Sequence, residues 1–332
     1  VLTDSTGKDY LDFLGGIGCA SLGHCHPAVV AAVRDQAEKL WQVGNYFYIE
    51  HRNEAAQAIS GLLSTVTDES GHVEGSTGTT WRTFFGNSGA EANEGAIKAS
   101  VDLNDIDALR EAVENPAPSC GPVCAVMLEC VQGEGGVWPA TYDYLRAVSD
   151  LCHEKGILLV IDEVQTGFFR CGAPFSFQRA GIEPDVVSMA KGIAGGFPMG
   201  AVAARAEVAD LMRPGDHGST FGGSALAMAA CRATLCALVE EDMGEHVIAT
   251  GKHLRHRLEA MPHVTEVRGR GLMRGAQLDV PAATALVDEG LAEGLVLNHI
   301  GDSILRFLLP LCITDEQVDE GMDRLEALLA KH

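Results

Sequence analysis

An aspartate and a lysine 29 residues apart have the types and settings that covalent amine chemistry needs. Asp162 ends the apolar run 157–161, and Lys191 lies between the apolar run 185–189 and a glycine-rich loop. A lysine that forms a Schiff base must be partly desolvated, because only the free amine is nucleophilic. A carboxylate at the end of a buried strand needs a partner, and a protonated pyridine nitrogen suits it. Taken alone, Asp162 could instead cap the next helix, and Lys191 could be an ordinary solvated lysine.

Two further segments could bind a phosphate group. Residues 86–93 include Ser88, Gly89 and Ala90 and open a helix, whose free N–H groups and positive dipole end favour anions. Residues 217–223 include Thr220 and offer hydroxyl groups just before another helix. Each segment alone is as typical of ordinary helix capping as of phosphate binding. Together with Asp162 and Lys191, they predict pyridoxal 5'-phosphate (PLP) as the cofactor.

The elements that must position these residues alternate along the chain. Apolar strand-like runs at 123–131, 157–161, 185–189 and 199–204 are separated by helical segments such as 141–155. Continuous apolar strands of this kind are typical of a parallel sheet buried on both faces. Such a sheet binds ligands at the carboxyl ends of its strands, which is where Asp162 and Lys191 lie.

The flanking segments have other patterns. Residues 2–13 predict a hairpin, and the polar stretch 67–80 predicts a surface loop. After the helices predicted at 224–240 and 245–261, residues 264–278 resemble a second hairpin, and a capping box at Thr314 opens the last helix.

We predict an α/β fold with two domains, because 332 residues exceed what one hydrophobic core usually supports. Residues 1–40 form an N-terminal segment that packs with the small domain, residues 41–244 form the large PLP-binding domain, and residues 245–332 form the small domain.

Composition narrows the class of partner and the location. The formal net charge of −22 disfavours nucleic acid and anionic membrane surfaces as partners. The ten cysteines are scattered, which favours reduced thiols and a cytoplasmic protein. We expect no metal, because His24, Cys25 and His26 have no second pair of ligands at a suitable spacing.

The motifs taken together resemble the class III (ω-amino acid) aminotransferases of PLP fold type I. The matching stretches run from 10–13 and 23–27 to 305–310, so the resemblance covers nearly the whole chain. It implies a large domain with a mainly parallel sheet flanked by helices, a smaller α+β domain, and transfer of an amino group.

The resemblance implies a role for each residue near the cofactor. Lys191 holds PLP as a Schiff base and then moves a proton, while Asp162 pairs with the pyridine nitrogen. Gln165 lies near the phenolic oxygen of PLP, and Glu129 supports the site beside the ring. The phosphate is held by Ser88, Gly89, Ala90 and, from the partner subunit of a homodimer with shared active sites, Thr220.

The resemblance also implies how two substrates share one site. Glu134 masks Arg306 while the amino donor is bound and frees it to bind a carboxylate of 2-oxoglutarate. A bidentate contact between arginine and carboxylate fits this role. The alternative for Arg306 is a structural arginine at the end of a strand.

The amino donor depends on fewer residues. Ile17 stands where ornithine aminotransferases have a tyrosine that recognises a free α-amino group. Isoleucine cannot donate a hydrogen bond, which favours an acylated amine such as N-acetylornithine and a role in arginine biosynthesis. Tyr48, with Tyr46 and Phe47, is expected at the same entrance, although ordinary packing would also explain these aromatic residues. Ornithine, succinylornithine and 4-aminobutyrate remain alternative donors.

Two departures from the family pattern bear on activity. Ser100 is followed directly by Val101, where the resemblance implies a few tens of further residues, including an aromatic residue that stacks on PLP and an arginine that binds substrate. One interpretation is that a mobile segment is missing here and that PLP is absent with it. The other is a true deletion, which would leave a non-catalytic homologue. Ser224 also replaces an asparagine that is usual in the family.

Overall fold

The computed structural model describes residues 1–43, 47–93, 101–116, 121–213, 216 and 218–332. The predictions for Tyr46 and for the residues before the junction at Ser100 lie outside these ranges. The helices in the described ranges are α1 Gly15–Gly18, α2 Pro27–Ala37, α3 Arg52–Leu63, α4 Gly89–Ala92, α5 Ile106–Glu114, α6 Tyr142–Lys155, α7 Ala206–Ala209, α8 Ala225–Glu240, α9 Met243–Glu259, α10 Ala283–Ala292 and α11 Asp315–Leu329.

The strands lie between these helices, and two short 3-10 helices span Ser176–Ala180 and Lys191–Ala194. The strands are β1 Leu2–Thr3, β2 Asp9–Asp12, β3 Thr65–Thr67, β4 Val73–Ser76, β5 Trp81–Gly86, β6 Ala125–Glu129, β7 Val131–Gln132, β8 Trp138–Pro139, β9 Leu158–Asp162, β10 Val186–Met189, β11 Gly200–Arg205, β12 Val264–Arg270, β13 Met273–Leu278, β14 Leu295–Val296, β15 Asn298–Ile300 and β16 Ile304–Leu308.

A five-stranded sheet of order β5-β11-β10-β9-β6 forms the centre of the fold. Strands β6, β9 and β10 pair in parallel, and β11 is antiparallel to both β10 and β5. Four of the five strands therefore run one way, and the predicted mainly parallel sheet is confirmed. The reversal of β11 has a physical reason. A crossover between parallel strands takes a dozen or more residues, and the link from β10 to β11 contains only a 3-10 helix and a turn.

Capping explains why the helix α6 lies where the sequence predicts it. The hydroxyl of Thr141 accepts a hydrogen bond from the Tyr144 N–H, and Gly156 ends the helix in the left-handed region. Leu145, Val148 and Leu151 on one face of α6 are fully buried. This burial fixes the start of β9, and so the place where Asp162 emerges from the sheet.

A four-stranded antiparallel sheet, β12-β13-β16-β15, forms the second layer of strands and is covered by α9 and α10. The predicted capping box at Thr314 and Gln317 opens α11. At the N-terminus, β2 pairs with β14, whereas α2 packs on α8. The proposed domain boundaries stay a prediction.

The predicted loop at 67–80 is wrong in part, because the chain there forms a hairpin of β3 and β4. The Asp68 carboxylate closes its turn by accepting hydrogen bonds from the backbone N–H groups of Ser70 and His72, at 2.8 and 2.9 Å. Threonine and valine favour strands, a signal that the many polar residues of this stretch obscured.

In the described part of the chain, no helix has the length and apolar character to span a bilayer.

Candidate active site

The parallel strands bring three predicted residues to one edge of the central sheet. In the register of these strands, Asp162 of β9 lies between Glu129 of β6 and Ser188 of β10. Lys191 follows Ser188 by three residues. The carboxyl ends of parallel strands meet at the edge where α/β proteins bind ligands, so the fold gathers Glu129, Asp162 and Lys191 in such a position.

Lys191 lies in a partly desolvated and strained position. Burial lowers the pKa of its amine, and the charges of Cys19, Glu134, Asp162 and Glu129 partly oppose that effect. Its φ of 45° is uncommon for a residue other than glycine and is typical of functional sites. The next residue is Gly192, where a Cβ atom would lie 2.4 Å from the Ser21 hydroxyl. This lysine is therefore held at the site and biased toward its neutral, nucleophilic form.

Asp162 is held by two hydrogen bonds. Its Oδ1 accepts from the Val164 N–H at 2.8 Å, and its Oδ2 accepts from Asn93 Nδ2 at 2.6 Å. The sequence analysis included Asn93 in the 86–93 motif but gave it no role. Its hydrogen-bond partner, Asp162, is 69 residues away in the sequence. The only local signal was that Asn93 directly follows the short helix that begins after Ser88. Asn93 therefore helps to orient the Asp162 carboxylate at the sheet edge.

Glu129 faces the same edge and supports the next loop. Its Oε2 accepts a hydrogen bond from the Gly133 N–H at 3.2 Å. Burial is the main cause that raises the pKa of Glu129 to about 6, and the charge of Asp162 adds to it. A carboxyl group with a pKa near 6 can exchange a proton close to neutral pH.

The predicted pair of Glu134 and Arg306 is formed. Arg306 Nη1 donates to Glu134 Oε1 at 2.7 Å, and Gln165 Nε2 donates to the same oxygen at 3.0 Å. Arg306 Nε also donates to Asn298 Oδ1 at 2.6 Å. Asn298, which the sequence analysis missed, lies opposite Arg306 in the pairing of β15 with β16. It fixes the plane of the guanidinium group.

The predicted phosphate-binding segment forms a helix start. The Ser88 hydroxyl caps α4 by accepting from the Glu91 N–H at 3.2 Å, and Gly89 and Ala90 are the first residues of the helix. A Cβ atom on Gly89 would lie 3.0 Å from Val164, so the loop after Asp162 packs closely against this helix start.

The remaining predicted residues are exposed in the single chain. Ile17 is 45% exposed and Tyr48 is 97% exposed, and Thr220 is also on the surface. Ile17 lies in α1, which packs beside β16 and the Lys191–Ala194 turn. Cys19, two residues later, is close enough to Lys191 for the charge of the amine to act on its thiol.

Glu163 is a fully buried carboxyl group directly beside the site. It accepts hydrogen bonds from the Thr166 hydroxyl and, at 2.9 Å, from the Phe177 N–H. Burial raises the pKa of Glu163 to about 7, although these hydrogen bonds oppose the shift. The sequence analysis gave Glu163 no role.

We expect Glu163 to make stability fall as the pH rises from 5 to 8. In this range the Glu163 carboxyl group keeps its proton in the folded protein. In the unfolded chain the same group has a pKa of 4.5 and has released that proton. Glu163→Gln cannot titrate and keeps an acceptor for the Phe177 N–H. The thermal midpoints of the wild type and this variant, measured in parallel, should therefore diverge by roughly 5 °C across the range. Parallel midpoints at every pH would contradict the assignment.

Comparison with known proteins places this site in a family. The model of the class-III aminotransferase family matches residues 1–107 and 101–329. An acetylornithine aminotransferase from Caldanaerobacter subterraneus is 38% identical, over 99% of this chain and 92% of that protein. The crystal structure of an acetylornithine aminotransferase from Elizabethkingia anophelis has a TM-score of 0.88 at 30% identity, covering 99% and 91% of the two chains. An ornithine aminotransferase from Plasmodium yoelii has a TM-score of 0.87 at 29% identity, with coverages of 99% and 91%.

The comparisons also bear on the junction after Ser100. The two matches of the family model meet and overlap at 101–107. The alignment with the Caldanaerobacter protein has 383 positions, whereas 99% of the 332 residues here is about 329, so about 54 positions have no counterpart in this chain. The interruption predicted from the sequence thus falls where the family match divides. On the strength of the matches on both sides of it, the chain belongs to the class-III aminotransferase family.

Proposed function

We propose that this aminotransferase moves the ω-amino group of N-acetylornithine to 2-oxoglutarate, a step of arginine biosynthesis. The observation that carries the proposal is the pair of Glu134 and Arg306 close to Lys191. The Arg306 side chain is 5% exposed and that of Glu134 is 70% exposed, so a carboxylate that enters from solvent can displace the glutamate and pair with the buried guanidinium. Two substrates that differ in one carboxylate can then use the same site in turn.

The residues of the site fit PLP, on which class-III aminotransferases depend. Gln165 Oε1 and Asn93 Oδ1 are buried polar atoms that have no hydrogen-bond partner among the described residues. Buried polar groups normally have a partner, so these atoms indicate a polar ligand at this edge of the sheet. When bound, PLP supplies an electron sink that stabilises the carbanion formed beside the transferred nitrogen. We assign it to Lys191, Asp162, Gln165, Glu129, Ser88, Gly89 and Ala90, with Thr220 from a second subunit.

Each side chain has a separate task in this proposal. Lys191 Nζ would hold the cofactor, and the same amine would carry the proton that moves during transfer. Asp162, which is oriented by Asn93 and by the Val164 N–H, would pair with the pyridine nitrogen. Glu134 neutralises Arg306 while the donor is bound, and Arg306 later binds the acceptor carboxylate.

The choice of N-acetylornithine depends on Ile17 and on the relatives. Ile17 lies beside the Lys191 turn and offers no hydrogen-bond donor to a free α-amino group. The Caldanaerobacter and Elizabethkingia proteins are both named acetylornithine aminotransferases. The similarity to the Plasmodium ornithine aminotransferase makes ornithine the first alternative to exclude.

A homodimer with shared active sites is part of the proposal. Gln42 donates to the Thr220 carbonyl, and Arg52 donates to the carbonyls of Phe47 and Gly223, so residues 41–43 and 47–52 lie close to residues 218–223. Four aromatic side chains on these segments are exposed: Trp41, Phe47, Tyr48 and Phe221. We infer that this exposed apolar surface is a protein interface, because large exposed apolar surfaces commonly have that role. A second copy that covers it would bring Thr220 and Tyr48 toward the neighbouring site. A cytoplasmic location remains a prediction.

We expect N-acetylornithine to be the best of four amino donors when 2-oxoglutarate is the acceptor. Its kcat/KM should exceed those of ornithine and 4-aminobutyrate at least tenfold. A site whose hydrogen-bonding groups match one substrate discriminates against a substrate with different polar groups by about tenfold or more. Succinylornithine should come second, since it is also acylated. No preference for the acetylated donor would contradict the assignment.

Substituting Ile17 tests the cause of that preference. Ile17→Tyr should raise the kcat/KM for ornithine relative to N-acetylornithine by about tenfold, because one hydrogen bond to a charged group is worth about 1.5–3 kcal/mol. Ile17→Phe is the matched control, which adds the ring without the hydroxyl. An equal change in both variants would show that size, and not hydrogen bonding, decides the donor.

A non-catalytic homologue is the competing hypothesis, and the junction after Ser100 is the observation that favours it. Reconstitution with PLP separates the two. An enzyme should become coloured and transfer amino groups, whereas protein that stays colourless in excess PLP would support the non-catalytic hypothesis.

A further inference from the structure

The turn that carries Ile17 has an unusual backbone. Its four residues, Gly15, Gly16, Ile17 and Gly18, all have a positive φ, between 57° and 79°. With a ψ of 43°, Ile17 is in the left-handed helical conformation. Glycine adopts this conformation freely, but a β-branched residue there is an outlier, because its Cβ atom crowds the neighbouring carbonyl oxygen. The Ile17 side chain is 45% exposed, so its own burial does little to offset this cost. Contacts outside the turn must therefore hold it.

A buried carboxylate holds the start of the turn. Asp12 Oδ1 accepts hydrogen bonds from the backbone N–H groups of Leu14 and Gly15, both at 2.9 Å. Asp12 Oδ2 is 2.7 Å from His24 Nε2. The Asp12 side chain is 4% exposed and that of His24 is 32% exposed. Asp12 is also the last residue of β2 and lies opposite Val296 of β14. The carboxylate thus stands on a fixed strand, with one oxygen on the turn and the other on the histidine.

The turn and the residues just after it contact two elements of the site. A Cβ atom on Gly15 would lie 2.5 Å from the Leu308 carbonyl oxygen of β16. The Ser21 carbonyl accepts a hydrogen bond from the Leu311 N–H at 2.7 Å. A Cβ atom on Gly192 would lie 2.4 Å from the Ser21 hydroxyl, so this segment also packs on the 3-10 helix of the site. A change in the turn would therefore move the wall beside the reactive amine.

We propose that Asp12 and His24 are positioning residues for the amino donor. Asp12 holds the turn in its left-handed conformation, and His24 holds Asp12. Without this pair the turn relaxes toward a conformation that isoleucine prefers, and the Ile17 side chain leaves its place at the site. The inference rests on the proposed function, since that function supplies the amino donor. It goes beyond that function because it assigns donor recognition to two side chains that act only through the turn.

The first readout is conformational and needs neither PLP nor substrate. Cys19 directly follows the turn, and its backbone N–H donates to the Gly16 carbonyl at 3.4 Å. Because its thiol is only partly exposed, the rate at which iodoacetamide alkylates it reports on opening of the turn. Asp12→Ala should raise this rate about tenfold relative to that of Cys236, an exposed cysteine on α8. Peptide mass spectrometry of timed samples gives both rates in one experiment.

The second readout compares the two half-reactions of the PLP-loaded protein. Asp12→Ala should lower kcat/KM for the amino donor about tenfold and change that for 2-oxoglutarate by less than about threefold, because Arg306 is held by its own sheet. Asp12→Asn keeps an oxygen that can accept from the turn and should restore most of both readouts. His24→Ala, at a partly exposed position, should show the pattern of Asp12→Ala to a smaller degree. It decides the question if Asp12→Ala does not fold.

A matched control lies three residues earlier on the same strand. Asp9→Ala removes an exposed carboxylate that accepts from the Thr3 hydroxyl at 2.7 Å, and it should change neither readout. Unchanged alkylation of Cys19 in the variants of Asp12 and His24 would overturn the inference. Equal losses in the two half-reactions would also overturn it, because they would indicate a structural role alone. A loaded protein without a visible absorption band would instead overturn the proposed function, while the alkylation rates would still test the turn.

Discussion

Replacing Lys191 by alanine is expected to abolish turnover, with kcat falling by about 10⁴-fold or more, because the variant loses both the covalent attachment of the cofactor and the group that moves the proton. Stability should change little, since the lysine is only half-buried and its positive φ is as unfavourable for alanine as for lysine. Steady-state kinetics and a thermal melt of the same preparation measure both effects.

Two controls distinguish the loss of the Lys191 amine from the loss of its positive charge and from a general loss of activity on substitution. Lys191→Arg keeps a positive charge among the carboxylates but cannot attach the cofactor, so it should be as inactive as the alanine variant. Lys155→Ala removes a lysine that pairs with Glu114 at 2.8 Å, away from the sheet edge, and should leave turnover unchanged. More than about 1% of wild-type turnover in Lys191→Ala would contradict the assigned role.

Replacing Arg306 by alanine is expected to raise the KM for 2-oxoglutarate by about 100-fold, because two charge-assisted hydrogen bonds are lost at about 1.5 kcal/mol or more each. The half-reaction with the amino donor should change much less, since in that half-reaction Arg306 is neutralised by Glu134. Single-turnover measurements of each half-reaction, followed by the visible absorption, make this comparison directly.

A double-mutant cycle with Glu134→Gln shows whether the effect arises from the pair. Glu134→Gln alone should lower the KM for 2-oxoglutarate, because the acceptor no longer competes with a carboxylate for Arg306. The same change in the Arg306→Ala background should have no effect on that KM. Equal losses in both half-reactions of Arg306→Ala would mean that the arginine is structural, as its position in a buried strand also allows.

The position of Asp162 and Lys191 at one edge of the sheet could be predicted because its signals are local. Asp162 and Lys191 each follow an apolar run, and strand ends in a parallel sheet meet at one edge, so sequence position determines location. The capping residues Ser88 and Thr314 were equally readable, since a cap and the N–H group that it accepts from are three residues apart.

The residues that sequence analysis missed act across long separations. Asn93 reaches Asp162 over 69 residues, and Arg268 reaches Gly136 over 132 residues. Such contacts depend on how the two sheets pack, which local patterns do not encode. The direction of β11 was obscure for a related reason, because an apolar strand has the same pattern whether it pairs in parallel or antiparallel.

The resemblance to the family suggested the exchange of carboxylates at Arg306, which neither sequence patterns nor side-chain packing could indicate. The exchange between Glu134 and 2-oxoglutarate at Arg306 was inferred from the family, and the 2.7 Å contact gives it a geometric basis. The shared contact of Glu134 with Gln165 was not foreseen, because a glutamate that accepts from two donors on two sheets has no signature in sequence.

The most direct test of the account is to load the protein with PLP, reduce it with borohydride and map the modified residue by mass spectrometry. The account predicts a visible absorption band before reduction and a single pyridoxyl group on Lys191 after it. A protein that stays colourless, or a pyridoxyl group on another lysine, would contradict it.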